Sequence, residues 1–260
     1  MIRALYSART GMVGQQLQLD TISNNLANVN TAGFKKATAQ FEDLFYQTLR
    51  NAGVETAGGG QVPVGIQVGM GVRPVAVEKI FTQGDFSQTG NELDWAIEGR
   101  GFFQIVRDGL EYYTRAGNFK RDSDGFIVTA NGDRLQPEFA IPDGTVSVNI
   151  DSSGLLTALD ENNQTLGTVQ ITLFRFTNPA GLKAVGSNLF QVTDASGDPV
   201  EENPGTNGVG TIAQRFIETS NVDVAEEIVN LIITQRAFEV NSKAVTTADT
   251  LLEIANNLKR

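Results

Sequence analysis

The stretch LYSARTGMVGQQLQLDTISNNLANV, residues 5–29, repeats apolar residues at the spacing of a helix that packs against another helix. The pattern predicts an a/d seam, meaning a stripe of side chains along which a partner helix lies. This seam consists of Leu5, Ala8, Met12, Gln15, Leu19, Ile22, Leu26 and Val29. A weaker stripe on the opposite side consists of Ile2, Tyr6, Val13 and Leu17, and it is continued by Asn24 and Asn28.

The C-terminal end of the chain repeats this design. Asp223 followed by Glu226 has the spacing of a capping box, which predicts a helix from about Val224 toward Leu258. The seam of this helix consists of Ile228, Leu231, Gln235, Phe238, Ser242, Val245 and Leu252. Its opposite stripe consists of Val229, Ile233, Val240, Ala244, Leu251 and Leu258. Matching seams predict a pair of helices within the chain, and each opposite stripe then needs a further partner.

Both seams contain polar residues, namely Gln15, Gln235 and Ser242. Buried amides cost stability, but they fix the register of helices and the number of partners. Ordinary packing within one chain also accounts for apolar heptads, so that alternative stays open at this point. The polar positions favour a chain whose copies stack in one defined register.

The middle of the chain has the texture of a β domain. From about Val72 to Thr219, short apolar runs alternate with Asp-Gly, Asn-Gly and Asp-Ser-x-Gly steps that mark hairpin turns. The clearest strands are FFQIV, FIVTA, VSVNI, VQITLFRF and LFQVT. Because no strand–helix–strand alternation occurs, a parallel nucleotide-binding sheet is not expected. The predicted fold is α+β, with paired coiled-coil-like terminal helices and a central antiparallel β domain.

A Gly-rich segment, residues 51–71, joins the first helix to the β domain and carries seven glycines. It is predicted to be extended or irregular, with Gly58–Gly60 as a hinge. Within it, apolar residues alternate with other residues, as in a strand that lays one face on a neighbour. These apolar positions, the predicted connecting arm, are Val62, Val64, Ile66, Val68 and Met70. The expected organisation is 1–30 and 222–260 as a helical domain, 31–71 as a connecting segment and 72–221 as a β domain.

Composition excludes several classes of protein. The net charge of −10 argues against nucleic acid, because phosphates require a basic surface, and basic pairs such as Lys35–Lys36 are too short to form one. The chain has no His and no Cys, which removes disulfides, zinc fingers, thiolate nucleophiles and His-based catalysis. No apolar run approaches the ~20 residues of a bilayer span, and the N-terminus lacks a cleavable signal pattern. We expect no membrane insertion, no cofactor and no metal.

Three motifs admit a chemical interpretation and a simpler one. GRGFF, residues 99–103, lacks the third glycine of a phosphate loop and is predicted to be a tight turn into a buried strand. Asp122 and Asp124 before Gly125 begin like a calcium loop, but the later acidic ligands are absent, so a hairpin turn is favoured. Asp94 and Glu98 could form a catalytic pair of carboxylates, yet their spacing alone cannot place them in one cleft.

Four stretches resemble the signatures of bacterial flagellar rod and hook proteins. These are SNNLANVNTAGFK at 23–35, EGRGFFQI at 98–105, YTRAGNF at 113–119 and ETSNVDVAEEIVNLIITQRAFEVNSKAVTTAD at 218–249. The resemblance covers essentially the whole chain. The chain length, together with FEDLFYQTLR at 41–50 and the Gly-rich segment, is similar to the distal-rod branch of that family.

The resemblance implies a structural subunit, not an enzyme, that forms a hollow helical homopolymer. Terminal helices would form the inner tube, and β domains would face outward. The polymer would cross the periplasm to the outer membrane, transmit torque for motility and conduct export substrates. Its partners would be further copies of itself, proximal rod proteins, the hook protein, the P-ring and L-ring proteins, and the type III export apparatus that secretes it without a cleaved signal. Alternatives are a proximal rod or hook subunit, a cell-wall enzyme and a secreted β-domain binding module.

On this hypothesis, the amide-rich end of the first helix meets other subunits. Asn24, Asn25, Asn28 and Asn30 would bond neighbouring subunits or line the channel, and Asn30 and Gly33 would end the helix. The expected assembly interface consists of Leu19, Ile22, Asn24, Leu26, Asn28, Leu231, Phe238, Val240, Val245 and Leu251.

Overall fold

The computed structural model describes residues 2–53, 61 and 63–257. Its contacts divide the chain into two compact units. The first, here called the helical unit, comprises Met1–Leu26, Ala37–Glu78 and Asp223–Arg260, and the second, the β unit, comprises Ala27–Lys36 and Lys79–Val222. This division differs from the predicted boundaries, because residues 37–78 group with the helices and residues 27–36 group with the β unit.

The described residues form two long helices and a series of short strands. The helices are α1 (Ile2–Ala27) and α2 (Val224–Asn257), and a single 3-10 turn spans Pro179–Gly181. The strands are β1 (Ala37–Asp43), β2 (Tyr46–Arg50), β3 (Ile66–Gly69), β4 (Val72–Lys79), β5 (Phe86–Gln88), β6 (Trp95–Glu98), β7 (Phe103–Arg107), β8 (Leu110–Thr114), β9 (Lys120–Arg121), β10 (Ile127–Val128), β11 (Arg134–Leu135), β12 (Ser147–Ile150), β13 (Leu155–Leu159), β14 (Thr165–Gln170), β15 (Leu173–Arg175), β16 (Lys183–Gly186), β17 (Leu189–Gln191), β18 (Val200–Glu202), β19 (Thr211–Gln214) and β20 (Phe216–Glu218).

The helical unit contains α1, α2 and two strand pairs. Strand β1 pairs with β4, and β2 pairs antiparallel with β3. The helix α2 begins where the capping pattern predicts, since Asp223 Oδ1 accepts hydrogen bonds from the backbone N–H groups of Ala225 and Glu226. Only residues 66–69 of the predicted arm form a strand, and they pair with β2 of the same chain. The predicted hinge Gly58–Gly60, Val62 and Leu258 lie outside the described residues.

The β unit is antiparallel throughout its described pairings, as the turn pattern predicts. A seven-stranded sheet has the order β16-β17-β8-β7-β11-β10-β9, and a three-stranded sheet has the order β12-β13-β14. Three further pairs join β15 to β18, β19 to β6, and β20 to β5. The main core is built around Trp95, Phe103 and Phe119. A second aromatic cluster surrounds Phe102 and Tyr113.

Two of the ambiguous motifs take their simpler form. GRGFF is a turn into β7, in which Gly99 and Gly101 have positive φ and Phe103 is fully buried. The Asp122–Gly125 segment is the turn between β9 and β10, closed by a hydrogen bond from Gly125 N to the Asp122 carbonyl at 3.0 Å. Neither α1 nor α2, over the residues described, has an apolar stretch with the length and hydropathy of a membrane span.

Candidate assembly surfaces and a buried ionic junction

Within the helical unit, α1 and α2 approach each other at two described points. A Cβ added to Gly11 would lie 2.9 Å from Asn241 Nδ2, and Asn25 Nδ2 donates to Glu227 Oε2 at 3.4 Å. Between these points α1 advances from residue 11 to residue 25, while α2 runs back from 241 to 227 by the same number of residues. The two helices are therefore antiparallel and keep one register. A side chain at position 11 would press on the Asn241 side chain, which would have to shift to make room.

The buried face of α1 includes predicted seam positions, but also Thr21 and Asn25, which the heptad pattern leaves out. Ile22 is buried, and Leu19 and Leu26 are half-buried. On α2, the half-buried Leu231, Phe238 and Val245 belong to the predicted seam. The residues that alternate with them along the buried face are Glu227, Thr234, Asn241 and Ala248.

Three of these residues, Glu227, Thr234 and Asn241, each precede a predicted seam position by one. Ile228 and Gln235 are exposed, whereas Glu227 and Thr234 are buried. The difference arises because the true seam of α2 is polar at these positions: Glu227 accepts a hydrogen bond from Asn25, and Thr234 Oγ1 bonds its own helix at Asn230 O. A search for apolar heptads selects Ile228 instead of Glu227, and Gln235 then replaces Thr234 because it lies one heptad after Ile228.

The second stripe of α2 lies on the surface of the helical unit. Val240 is 64% exposed and Leu251 is 50% exposed, and Val229 and Ile233 are exposed in the same way. In the register set by Gly11 and Asn25, α2 beyond residue 250 also extends past the first described residue of α1. The apolar stripe of α2 from Val229 to Leu251 is therefore left uncovered by the described part of the chain.

Asn25 corrects one prediction, because it does not face a neighbouring subunit. It is only 1% exposed and makes a two-way bond with the backbone of Ala37: its Oδ1 accepts from the N–H and its Nδ2 donates to the carbonyl, each at 2.8 Å. The amide thus fixes the start of β1 against α1.

The end of α1 also differs from the prediction. The helix ends at Ala27, before Asn30, and the backbone then turns. Asn24 is exposed, whereas Asn28 is half-buried and accepts a hydrogen bond from Thr31 Oγ1 at 3.2 Å. Gly33 lies beyond the helix at φ +68°, where its N–H donates to the Glu218 carbonyl at 2.8 Å.

The described residues of the arm differ in their exposure to solvent. Val64 and Ile66 are exposed, while Val68 and Met70 are half-buried. The β2 strand that pairs with the arm exposes its own apolar side chains, including Tyr46 and Leu49. The hairpin formed by β2 and β3 therefore presents a second apolar surface on the helical unit.

A buried ionic junction in the β unit is the feature that sequence analysis missed. Glu218 and Lys35 are almost completely buried, and Lys35 Nζ donates to Glu218 Oε1 at 2.6 Å. Arg115 Nε donates to the other carboxylate oxygen of Glu218 at 2.7 Å. The backbone N–H of Gly84 adds a third bond to Glu218 at 3.0 Å. One carboxylate is thus held between two cations and a backbone donor.

Backbone carbonyls complete the coordination of both cations. Lys35 Nζ donates to the Thr82 carbonyl at 2.7 Å, and the Arg115 guanidinium donates to the carbonyls of Gly99 and Gly101 at 2.6 Å each. The three charged side chains come from residues 23–35, 113–119 and 218–249, and the two glycine carbonyls come from 98–105. All four signature stretches therefore meet at this junction.

Opposing effects set the ionisation of the junction. Burial alone would raise the pKa of Glu218, but the attraction and hydrogen bonds of Arg115 and Lys35 outweigh it and lower the pKa. Burial lowers the pKa of Lys35, and Glu218 offsets part of that effect. Lys35, one half of the basic pair Lys35–Lys36, is the one weak signal of the site in the sequence, and nothing there links it to residues far along the chain.

The remaining acidic candidates do not form a catalytic site. Asp94 is buried and accepts a hydrogen bond from Asn91, whereas Glu98 is exposed at the end of β6. Among the described residues, no group of three or more acidic side chains is placed to hold a metal ion. The junction itself pairs a carboxylate with two cations and serves to hold chain segments together.

Comparison with known proteins finds family models that match the beginning, the middle and the end of the chain. A family model described as the flagellar hook protein FlgE/F/G D1 domain matches residues 96–158. Models of the flagella basal body rod protein and of the flagellar basal body rod FlgEFG protein C-terminal match residues 5–35 and 213–258.

Similar relatives carry the name flagellar basal-body rod protein FlgG. The protein of Buchnera aphidicola subsp. Schizaphis graminum is 46% identical over 260 residues, which cover 99% of this chain and 100% of the relative. That of Buchnera aphidicola subsp. Acyrthosiphon pisum is also 46% identical, with the same coverage. That of Borreliella burgdorferi is 47% identical over 264 residues and 100% of both chains. The chain therefore belongs to the flagellar basal-body rod protein family.

Proposed function

We propose that this chain is a structural subunit of the flagellar distal rod, which polymerises into a hollow helical drive shaft. The observation that carries the proposal is the exposed apolar stripe of α2, centred on Val240 and Leu251. Monomeric soluble proteins rarely leave a contiguous apolar surface of this kind uncovered, so it marks an interface. Relatives that match over their full length are named as rod proteins, which supports a structural role without catalysis.

In the polymer, residues 1–30 and 222–260 form the inner tube as coiled-coil-like helices, and residues 72–221 face outward. The two contact points between α1 and α2 and their constant register support this arrangement. The rod transmits torque, conducts export substrates through its lumen and contacts the proximal rod, the hook and the P and L rings. It lies in the basal body and crosses the periplasm to the outer membrane, and its subunits leave by the type III apparatus without a cleaved signal.

Two smaller surfaces take part in this assembly. Asn24 is exposed near the end of α1 and, with Asn28, bonds a neighbouring subunit or lines the channel. The residues 31–71 act as the connecting segment, and the arm around Val64 and Ile66 docks on adjacent subunits to stiffen the shaft. Both proposals follow from exposed groups of the helical unit, namely the polar Asn24 and the apolar Val64 and Ile66.

A hook or proximal rod subunit is the alternative within the family, since the matched models also name the hook protein FlgE and the F and G members. Full-length alignment with relatives that are named as rod proteins favours the rod.

The proposal is tested with Val240→Asp and Leu251→Asp. A buried, unpaired carboxylate at a subunit contact is costly, so neither variant should polymerise. The matched control is Val146→Asp in the β unit, where Val146 is 62% exposed, close to the exposure of Val240. Electron microscopy and sedimentation of concentrated protein should show tubes or filaments for the parent and the control. Normal polymers of Val240→Asp, or inert monomers of the parent, would contradict the proposal.

A further inference from the structure

A cavity of about 500 Å³ opens in the β unit beside the ionic junction. Aromatic rings form part of its wall, and Phe102 lies edge-on to both Phe81 and Phe176, with ring centroids 5.4 and 5.5 Å away. Lys35 and Arg115 contribute its buried end. The cavity thus combines an apolar wall with positive charge, which suits a ligand that has an anionic group and an apolar part.

Two arginines on the exposed side of the cavity have no acidic partner. Arg100 and Arg175 both line the cavity and are exposed, and neither makes an ion pair with a described residue. The other arginines of the β unit, all of which do make one, are Arg107, Arg115, Arg121, Arg134 and Arg215. The two guanidinium groups left without a carboxylate are therefore the two that line one cavity.

The charge balance around the cavity is strongly positive. Glu218 supplies one negative charge, while Lys35, Arg115, Arg100 and Arg175 each supply a positive one. The chain as a whole carries a net charge of −10 and has 30 acidic residues. A cationic cavity on so acidic a protein is complementary to the protein's own surface.

We propose that this cavity receives an Asp or Glu side chain from a second copy of the chain. A guanidinium fork matches a carboxylate through two parallel hydrogen bonds, and the aromatic wall accommodates the stem or an apolar neighbour of the acidic residue. Copies that each carry a charge of −10 repel one another, so a polymer needs points where opposite charges meet. The second copy as the source of the carboxylate rests on the proposed function, whereas the preference for a carboxylate does not.

The preference for a carboxylate is tested on dilute monomer, where polymerisation plays no part. The probe is the acetylated and amidated peptide Gly-Leu-Glu-Gly, compared with Gly-Leu-Gln-Gly by NMR titration. We expect the Glu peptide to bind, to weaken with added salt and to lose at least about tenfold in affinity in the double variant Arg100→Gln, Arg175→Gln. The matched control Lys120→Gln, Lys183→Gln removes two exposed positive charges at the opposite edges of the seven-stranded sheet and should bind as the parent does.

The source of the carboxylate is tested by the critical concentration for polymerisation. The double arginine variant should raise it by about tenfold or more over the double lysine control, with both variants folded by circular dichroism. Equal binding of the Gln peptide, or unchanged peptide binding by the arginine variant, would overturn the carboxylate site. An unchanged critical concentration would overturn the second copy as its source. A parent chain that never polymerises defeats the proposed function, while the peptide titration still decides the chemistry of the cavity.

Discussion

Replacing Glu218 with Gln should be among the most destabilising single substitutions in the β unit. Gln keeps the size of the side chain but removes the negative charge between Lys35 and Arg115, whose nitrogen atoms lie 2.6 and 2.7 Å from the carboxylate. The amide NH₂ group must also point at one of the two cations, because both carboxylate oxygens accept hydrogen bonds. Lys35 and Arg115 would then be buried without a negatively charged partner.

The expected loss in the free energy of unfolding can be estimated from the burial of Glu218. Removing one partner of a fully buried ion pair costs about 3–5 kcal/mol, because the remaining charge stays in a medium that solvates it poorly. Glu218 is 1% exposed and therefore belongs to this class. A domain is typically stable by about 5–15 kcal/mol, so the loss is a large fraction of the total. The control is Glu92→Gln, whose pair with Arg215 is partly exposed to solvent and whose amide oxygen can still accept the Val148 N–H, so about 0–1 kcal/mol is expected.

Urea unfolding followed by tryptophan fluorescence measures the difference. The chain has a single tryptophan, Trp95, which is completely buried in the core of the β unit and so reports on this unit. Glu218→Gln should lower the free energy of unfolding by several kcal/mol more than Glu92→Gln. If the two variants lost the same amount, the junction would contribute no more than a surface pair, and the argument from burial would fail.

Three further predictions address pH, the amide at the end of α1 and the arm. The pKa of Glu218 is lowered from its ordinary value of 4.5, so the stabilisation by its carboxylate is complete above about pH 4.5 and is lost as the pH falls through the lower folded-state pKa. The urea midpoint should therefore fall less steeply between pH 7 and pH 3 in Glu218→Gln than in the parent, and equal slopes would refute this. Asn25→Ala should cost the helical unit about 1–3 kcal/mol, because it leaves the N–H and carbonyl of Ala37 without their partner, whereas Gln16→Ala at an exposed site of α1 should cost little. Thermal melts followed by helical circular dichroism measure both losses, and equal losses would contradict the assignment. Deletion of residues 51–70 should leave polymers that are more flexible or curved by electron microscopy, and deletion polymers as straight as the parent's would place the stiffness elsewhere.

Local sequence patterns predicted the helices and strands of this fold, but they did not predict which distant segments pair with each other. The heptads gave both helices, and the turn residues gave antiparallel strands, because these signals depend on neighbours in sequence. The pairing of β1 with β4, and the grouping of residues 37–78 with the helices, depend on contacts between separated segments. Alternate positions of the α2 seam were displaced by one residue for a related reason: Glu227 is buried where it meets Asn25 of the other helix.

The ionic junction is the clearest case of contacts between distant segments that local sequence patterns cannot predict. Lys35 in the sequence is one half of a basic pair with no periodicity, and only the fold brings Glu218 and Arg115 to it. A single Glu that binds two cations joins segments from the beginning, middle and end of the chain, so the β unit can hold its own ends together without help from another subunit. The apolar stripe of α2 has no such internal partner among the described residues. Stability of the β unit and the exposed apolar surface of the helical unit therefore depend on different residues. On the proposed function, a subunit can then keep its β unit folded before it joins the polymer and use the surface of α2 to contact its neighbours.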